Sequence, residues 1–195
     1  GKELKGAKFK IVDPSVDEES KDYVIETWES IGAAHTIEAK LTAEKTYRLI
    51  EEQAPSGFTP VAPVEFKITV LGKVIVNDQE VDAETIVVKN SKNQLAFAKT
   101  DASRSTAESP VYLKGAELEI RMEVNGNPGE IATNADGEIL KWTSDDTVHT
   151  VDGLAAGTYF LVETKAPAGY KVAEPKKFTV TDTDTKLETI TMEDA

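Results

Sequence analysis

Three segments of this sequence carry an ionisable side chain in phase with bulky apolar ones. Residues two apart on a strand share a face. Lys99 is therefore in phase with Leu95 and Phe97, Glu163 with Tyr159 and Leu161, and Asp194 with Ile190 and Met192. The N-terminal half repeats two of the three, placing Glu51 with Tyr47 and Leu49, and Asn90 with Ile86 and Val88. In the Lys and Asp segments the bulky side chains mark the core face, whereas the Glu segment is apolar on both faces. Taken singly, each such residue reads as a strand end that snorkels or faces solvent. Taken together, they would direct an amine, an acid and a carboxyl or amide toward a core, where isolated charges must be paired or neutralised. Composition does not decide whether they meet.

Other reactive side chains fall into weaker patterns. His35 and His149 lie in equivalent places in separate halves, build no shared metal site, and read as structural residues at strand starts. Asp182 and Asp184 lack the glycine turn and distal glutamate of a calcium loop and read as a solvated hairpin. Glu51-Glu52 and Asp145-Asp146 are adjacent, and neighbours on a strand point to opposite faces. They are poor glycosidase pairs, since such carboxyls converge across a substrate. Trp28 and Trp142 read as core anchors rather than sugar platforms.

The elements that position these residues occur twice. Tyr47-Arg-Leu-Ile-Glu-Glu-Gln-Ala-Pro-Ser-Gly-Phe58 aligns with Tyr159-Phe-Leu-Val-Glu-Thr-Lys-Ala-Pro-Ala-Gly-Tyr170, an offset of 112 residues. Trp28 and His35 recur as Trp142 and His149, both 114 residues on. Leu4-Lys5-Gly6-Ala7 matches Leu113-Lys114-Gly115-Ala116, and Glu84–Asn90 matches Glu188–Asp194. The order of landmarks is the same in both halves, so the chain is a tandem duplication. The boundary is placed at the short polar stretch Ser91–Gln94, giving domains 1–92 and 93–195. Short apolar runs rich in Val, Ile and Thr, with turn signals at Asn125-Gly126, Asn127-Pro128-Gly129 and Asp136-Gly137, predict an all-β chain of two sandwiches with roughly seven strands each. The stretch Ala33–Lys45 has mixed periodicity and is the one place a helical turn would fit.

The 195 residues carry a formal charge of −13, with 39% hydrophobic and 29% charged residues. That is the composition of a folded globular protein, and its acidity opposes nucleic-acid binding. No apolar run approaches the roughly 18 residues of a membrane span. The absence of Cys excludes disulfides, thiolate nucleophiles and Cys-ligated zinc.

The segments Tyr47–Phe58 and Tyr159–Tyr170 resemble the E-box, Tyr-x-Leu-x-Glu-x-x-Ala-Pro-x-Gly-Tyr/Phe, of the CnaB-type domains of Gram-positive pilins and surface adhesins. Phe97-Ala98-Lys99-Thr100-Asp101 with Leu113-Lys114-Gly115-Ala116 resembles that family's first strand and its continuation, and the terminal Ile-x-x-x-Asn/Asp its last strand. The resemblance covers nearly the whole chain and implies two tandem Ig-like sandwiches. It further implies an autocatalytic isopeptide cross-link between Lys99 and Asp194 with Glu163 as catalyst, and Glu51 as the equivalent in the first domain. An apolar surround favours the neutral, nucleophilic amine and a protonated acid that polarises the target carbonyl. Such a reaction runs once per molecule, so no enzyme is expected, and no cofactor.

The first domain departs from the family pattern. It carries Glu51 and the acceptor Asn90, but Gly1-Lys2-Glu3-Leu4 falls after the place of the strand bearing the reactive Lys. Lys8 and Lys10 alternate with Ala7, Phe9 and Ile11 and should face outward, so no bond from Asn90 to Lys2, Lys5, Lys8 or Lys10 is expected. The resulting expectation is an extracellular structural fragment of a pilin or adhesin stalk, its partners being neighbouring domains of the same surface protein. A module binding a host extracellular-matrix protein, or an accessory module of a secreted enzyme, is the alternative.

Overall fold

The computed structural model describes residues 2–81, 84–182 and 188–195. No α-helix occurs among them, and the stretch Ala33–Lys45 is irregular chain with a turn rather than helical. The chain forms two compact units, one of residues 1–55 with 59–91 and one of residues 56–58 with 92–195.

The first unit contains β1 (Lys5–Val12), β2 (Val24–Ile31), β3 (Thr46–Gln53), β5 (Val64–Ile68), β6 (Val74–Val76) and β7 (Gln79–Glu80) in one antiparallel sheet of order β2-β1-β3-β5-β6-β7. The two-residue strands β4 (Phe58–Thr59) and β8 (Ser91–Lys92) lie where the units divide. Ala7, Phe9, Ile11, Tyr47, Leu49 and Phe66 form the core on one face of the sheet. Ile37, Leu41, Ile86 and Val88 cover it from irregular chain. Lys8 is exposed and Lys10 pairs with Glu52, both away from that core.

The second unit has two layers. One holds β10 (Glu117–Val124), β11 (Asn127–Ile131), β12 (Lys141–Thr143), β14 (Gly157–Lys165) and β15 (Lys176–Val180), ordered β11-β10-β14-β15 with β12 also on β10. The other is β9 (Gln94–Asp101) flanked by β13 (His149–Asp152), antiparallel, and β16 (Ile190–Asp194), parallel. Leu95, Phe97, Leu118, Ile120, Leu161 and Met192 pack between the layers. Full burial of each such side chain contributes about 1.5–3 kcal/mol.

Local chemistry explains the repeated start of both units. Gly6 and Gly115 have φ of +86° and +91°, a region that only glycine enters freely; Gly6 sits at a register shift within β1, and Gly115 lies two residues before β10 begins. The kink delivers the following Ala7 and Ala116 into the core. Asn125 and Gly126, both with positive φ, close the β10–β11 hairpin as a type I′ turn requires. Asn127-Pro128-Gly129, expected to be a turn, instead lies within β11, an edge strand where proline's missing N–H is tolerated.

Candidate functional site

Lys99, Glu163 and Asp194 come from three strands and meet in the core of the second unit. β9 and β16 are parallel neighbours, with Met192 opposite Lys99 and Asp194 opposite Asp101. Two residues along a strand is within reach of a lysine side chain, and the Lys99 Nζ donates to Asp194 Oδ1. Glu163 arrives from the opposite layer. It pairs with Leu118 across β14 and β10, and the period-two alternation that buries Tyr159 and Leu161 also turns Glu163 inward. Its Oε1 lies 3.1 Å from Lys99 Nζ, and its Oε2 accepts the Ala173 N–H at 2.7 Å.

None of the three is more than 3% exposed. A buried amine facing two carboxyls is a costly arrangement, because desolvating each ion costs several kcal/mol that Coulomb attraction only partly returns. The second oxygen of Asp194, Oδ2, is buried without a hydrogen-bond partner among the described residues. Beside the amine lies a cavity of about 20 Å³, lined by Phe97, Lys99, Leu118, Trp142 and Ser144 among others. That volume is enough for one water molecule. The arrangement holds an amine between two carboxyls in the core, with a cavity of one water's size beside it.

The first unit reproduces part of this geometry. Glu51 is buried opposite Phe9 as Glu163 is opposite Leu118. Its Oε2 accepts the Val61 N–H at 2.9 Å, the counterpart of the Ala173 bond, and also the Asn90 Nδ2–H at 2.7 Å. Asn90 donates to the Thr59 carbonyl as well, at 3.0 Å. Among the described residues, no ion pair or hydrogen bond brings a lysine to this pair; Lys10 goes to Glu52 instead.

A second polar cluster gathers on the buried carboxyl of Asp101. Asp101, two residues beyond Lys99 in β9, accepts hydrogen bonds from Tyr170 Oη, from Ser103 Oγ at 2.7 Å and from Arg104 Nε at 2.7 Å. These bonds, the one from Tyr170 foremost, hold the Asp101 carboxyl well below the usual carboxylate range. Arg104 also donates to Tyr170 at 3.0 Å. Sequence reasoning used Asp101 and Tyr170 only as motif letters. The signal was present in the E-box, whose last position is Tyr170 here but Phe58 in the first unit.

The remaining candidates are structural by their contacts. Trp28 stacks on His35 and Trp142 on His149, each at 4.2 Å, and both indoles pack against their cores. Burial pushes the His149 imidazole below its ordinary value. His149 opens β13, but His35 lies in irregular chain and bonds Glu26 at 2.6 Å. Glu51 and Glu52 point to opposite faces as expected. Asp145 and Asp146, read as strand neighbours, occupy a turn where Asp145 caps Thr147 and Asp146 pairs with Lys114. Asp182 is at a turn, and Asp184 lies outside the described residues. No cluster of three metal-ligating side chains occurs among the described residues.

A family model, the SpaA prealbumin-like fold domain, matches residues 1–82 and again 93–195. Among solved structures, the chain is similar to the Bacillus anthracis TIE protein (19% identity, TM-score 0.46), with 98% of this chain and 31% of that one covered. It is similar to a streptococcal ancillary pilin at 22% identity and TM-score 0.42, covering 98% and 57% of the two chains. The shaft pilin SpaA of Lactobacillus rhamnosus GG gives 20% identity and TM-score 0.35, covering 98% and 87%. The chain thus spans under a third of the first of these and just over half of the second. No curated protein matches.

Proposed function

This chain belongs to the SpaA family of prealbumin-like fold domains, and on that premise we propose that it is a load-bearing segment of a Gram-positive surface protein, a pilin or an adhesin stalk. Its two CnaB-type domains, residues 1–92 and 93–195, act as spacers outside the cell, and the second is locked by an amide between Lys99 and Asp194. The observation that carries this reading is the buried Lys99 amine held between the Asp194 and Glu163 carboxyls.

The chemistry follows from that contact. The step uses Lys99 as the nucleophile, Asp194 as the acyl group and Glu163 as the acid that assists. Lys99 passes a proton to the Asp194 carboxyl and its neutral Nζ attacks Cγ. Protonated Glu163 donates to the carbonyl oxygen and shuttles protons between the entering nitrogen and the departing hydroxyl. The Nζ–Cγ bond forms, the Cγ–OH bond breaks, and one water leaves, for which the adjoining cavity has room. Proximity supplies most of the acceleration, since the fold holds nucleophile and acyl carbon in contact.

The test is the mass of the denatured chain followed by proteolytic mapping. A deficit of one water and a branched peptide joining Lys99 to Asp194 are expected. A full mass overturns the bond, and the two peptides recovered separately would do the same.

A further inference from the structure

We propose that Tyr170 is a positioning residue for the acid of the second unit: docked on Asp101, it ties down the connection that aims Glu163 at the Lys99 amine. The inference rests on the amide chemistry proposed above, and it concerns what holds the acid in place rather than which atoms react. The Glu163 carboxyl accepts one backbone hydrogen bond among the described residues, from the Ala173 N–H to Oε2 at 2.7 Å. That bond decides which oxygen is turned to the amine, and Oε1 is the one 3.1 Å from Lys99 Nζ. A reacting group is held to a fraction of an ångström only if its supporting partners are themselves fixed.

Ala173 has no ladder to fix it. It lies in the connection from β14 to β15, residues 166–175, which is irregular and mostly exposed. Its methyl group rests on the core, and one methyl contact leaves the direction of the N–H to the neighbouring anchors. Tyr170, three residues earlier, is such an anchor. Its N–H closes a turn on the Pro167 carbonyl at 3.1 Å, its Oη donates to Asp101 Oδ2, and Arg104 Nη2 donates to that Oη at 3.0 Å. Asp101 is a firm point of attachment. It is 2% exposed, and its other oxygen, Oδ1, accepts the Ser103 and Arg104 N–H groups, each at 2.9 Å. Asp194 stands opposite it in the parallel ladder, and the Ala102 N–H donates to the Asp194 carbonyl at 2.7 Å. The acid's connection is thus tied to the very strand ends that carry the amine and the acyl group.

The first unit secures the same N–H with other atoms. Phe58 stands where the second unit has Tyr170 and offers no hydroxyl, yet the Val61 N–H, three residues on, reaches Glu51 Oε2 at 2.9 Å. Thr59 ties that segment down. Its Oγ1 donates to the Ser91 carbonyl at 3.1 Å, and its own carbonyl accepts the Asn90 Nδ2–H at 3.0 Å. The residue matching Thr59 in the second unit is Lys171, which is exposed, so there the anchoring falls to Tyr170.

The test follows amide formation in time. The full chain is made in a short cell-free pulse, quenched into acid denaturant at intervals and weighed, and the fraction lacking one water gives the rate. Tyr170→Phe should slow that rate by about tenfold or more, since a misplacement of about 1 Å can cost a hundredfold, while reaching the parent's final mass. Asp101→Asn should slow it too, and the double variant should be no slower than the slower single one, because the two side chains act as one contact. Val180→Ala, a core change at the far end of β15, should lower the melting transition and leave the rate within about twofold. In the reacted chain, Tyr170→Phe should also speed amide exchange at Ala173 by about tenfold. An unchanged rate in Tyr170→Phe overturns the inference while the amide stands. Equal slowing by Val180→Ala reduces the effect to stability and overturns it as well, and so do independent, multiplying effects of Tyr170→Phe and Asp101→Asn. A parent chain that never loses water faults the amide chemistry instead, and exchange at Ala173 then decides alone whether Tyr170 holds the connection.

Discussion

Replacing Glu163 by Gln should abolish the Lys99–Asp194 bond while leaving the second unit folded. Gln is isosteric with Glu and can still accept the Ala173 N–H, but it holds no acidic proton to shuttle. The stability cost can be worked from the chain. The bond closes a loop with a sequence separation of 95 residues. In the chain-entropy treatment used for disulfides, a loop of that length removes about 16 cal/mol/K from the unfolded state, or roughly 4.7 kcal/mol at 25 °C. A unit of about 100 residues unfolds with an entropy near 0.2 kcal/mol/K, so the melting transition should fall by on the order of 20 °C. Calorimetry of the full chain, paired with denaturing mass spectrometry, reads both quantities. The parent protein should lack one water and Glu163→Gln should have full mass, with only the second unit's transition displaced. A deficit that persists in Glu163→Gln refutes the role of the acid. A lost bond with an unmoved transition refutes the loop-entropy reasoning.

Asp194→Asn should still react, releasing ammonia instead of water, so its final mass should equal that of the reacted parent; an unreacted product would mean that the carboxyl itself is required. Tyr170→Phe removes the leading hydrogen bond to Asp101, whose folded-state carboxyl sits below its unfolded value. The stability gap between parent and variant should therefore be present at pH 7 and close as pH falls below about 4, as denaturant titrations at several pH values would show. Phe97→Ala, at a side chain 1% exposed that packs on Trp142 and Phe178, should destabilise the second unit by about 3–5 kcal/mol in the unbonded Glu163→Gln background, measured by urea unfolding. Pulling single molecules should release roughly 320 Å of additional extension from Glu163→Gln relative to the parent, because the 95-residue separation is no longer closed.

The duplication was legible because landmarks at fixed offsets survive divergence, and the site residues because a strand's period of two sets Lys99 beside Phe97 and Asp194 beside Met192. Glu163 was harder to orient, since Phe160 and Val162 make its strand apolar on both faces. The pairing of Leu118 with Glu163 across two strands, which aims the acid at the opposite layer, is a long-range fact with no local signature. The same holds for Asp101 and Tyr170, which are 69 residues apart and meet through a loop. Local signals misled where tertiary context prevailed. Asn127-Pro128-Gly129 reads as a turn but pairs as an edge strand, because β10 supplies a partner on one side only. The mixed periodicity of Ala33–Lys45 reflects chain that covers a core without a ladder, not a helix.

The two units differ in a way that separates what the fold needs from what the bond needs. Both bury a Glu at the same point of the same sheet, with the same backbone N–H ten residues downstream on its Oε2. Both present a carboxyl or amide at the end of the last segment. Among the described residues, only in the second unit do the flanking segments form ladders, β13 and β16, on a strand that brings a lysine. In the second unit the strand that carries Lys99 is thus also the one on which β13 and β16 form their ladders. Within the second unit that coupling also sets the path of any load. β9 and β16 run parallel, so tension applied before Gln94 and after Asp194 shears their ladder. An amide from Lys99 to Asp194 would divert that tension through one side-chain link near the two ends, leaving β10 through β15 unloaded. Placed anywhere between interior strands, the same bond would protect less of the chain; joining the first strand to the last is the arrangement that spares nearly all of it.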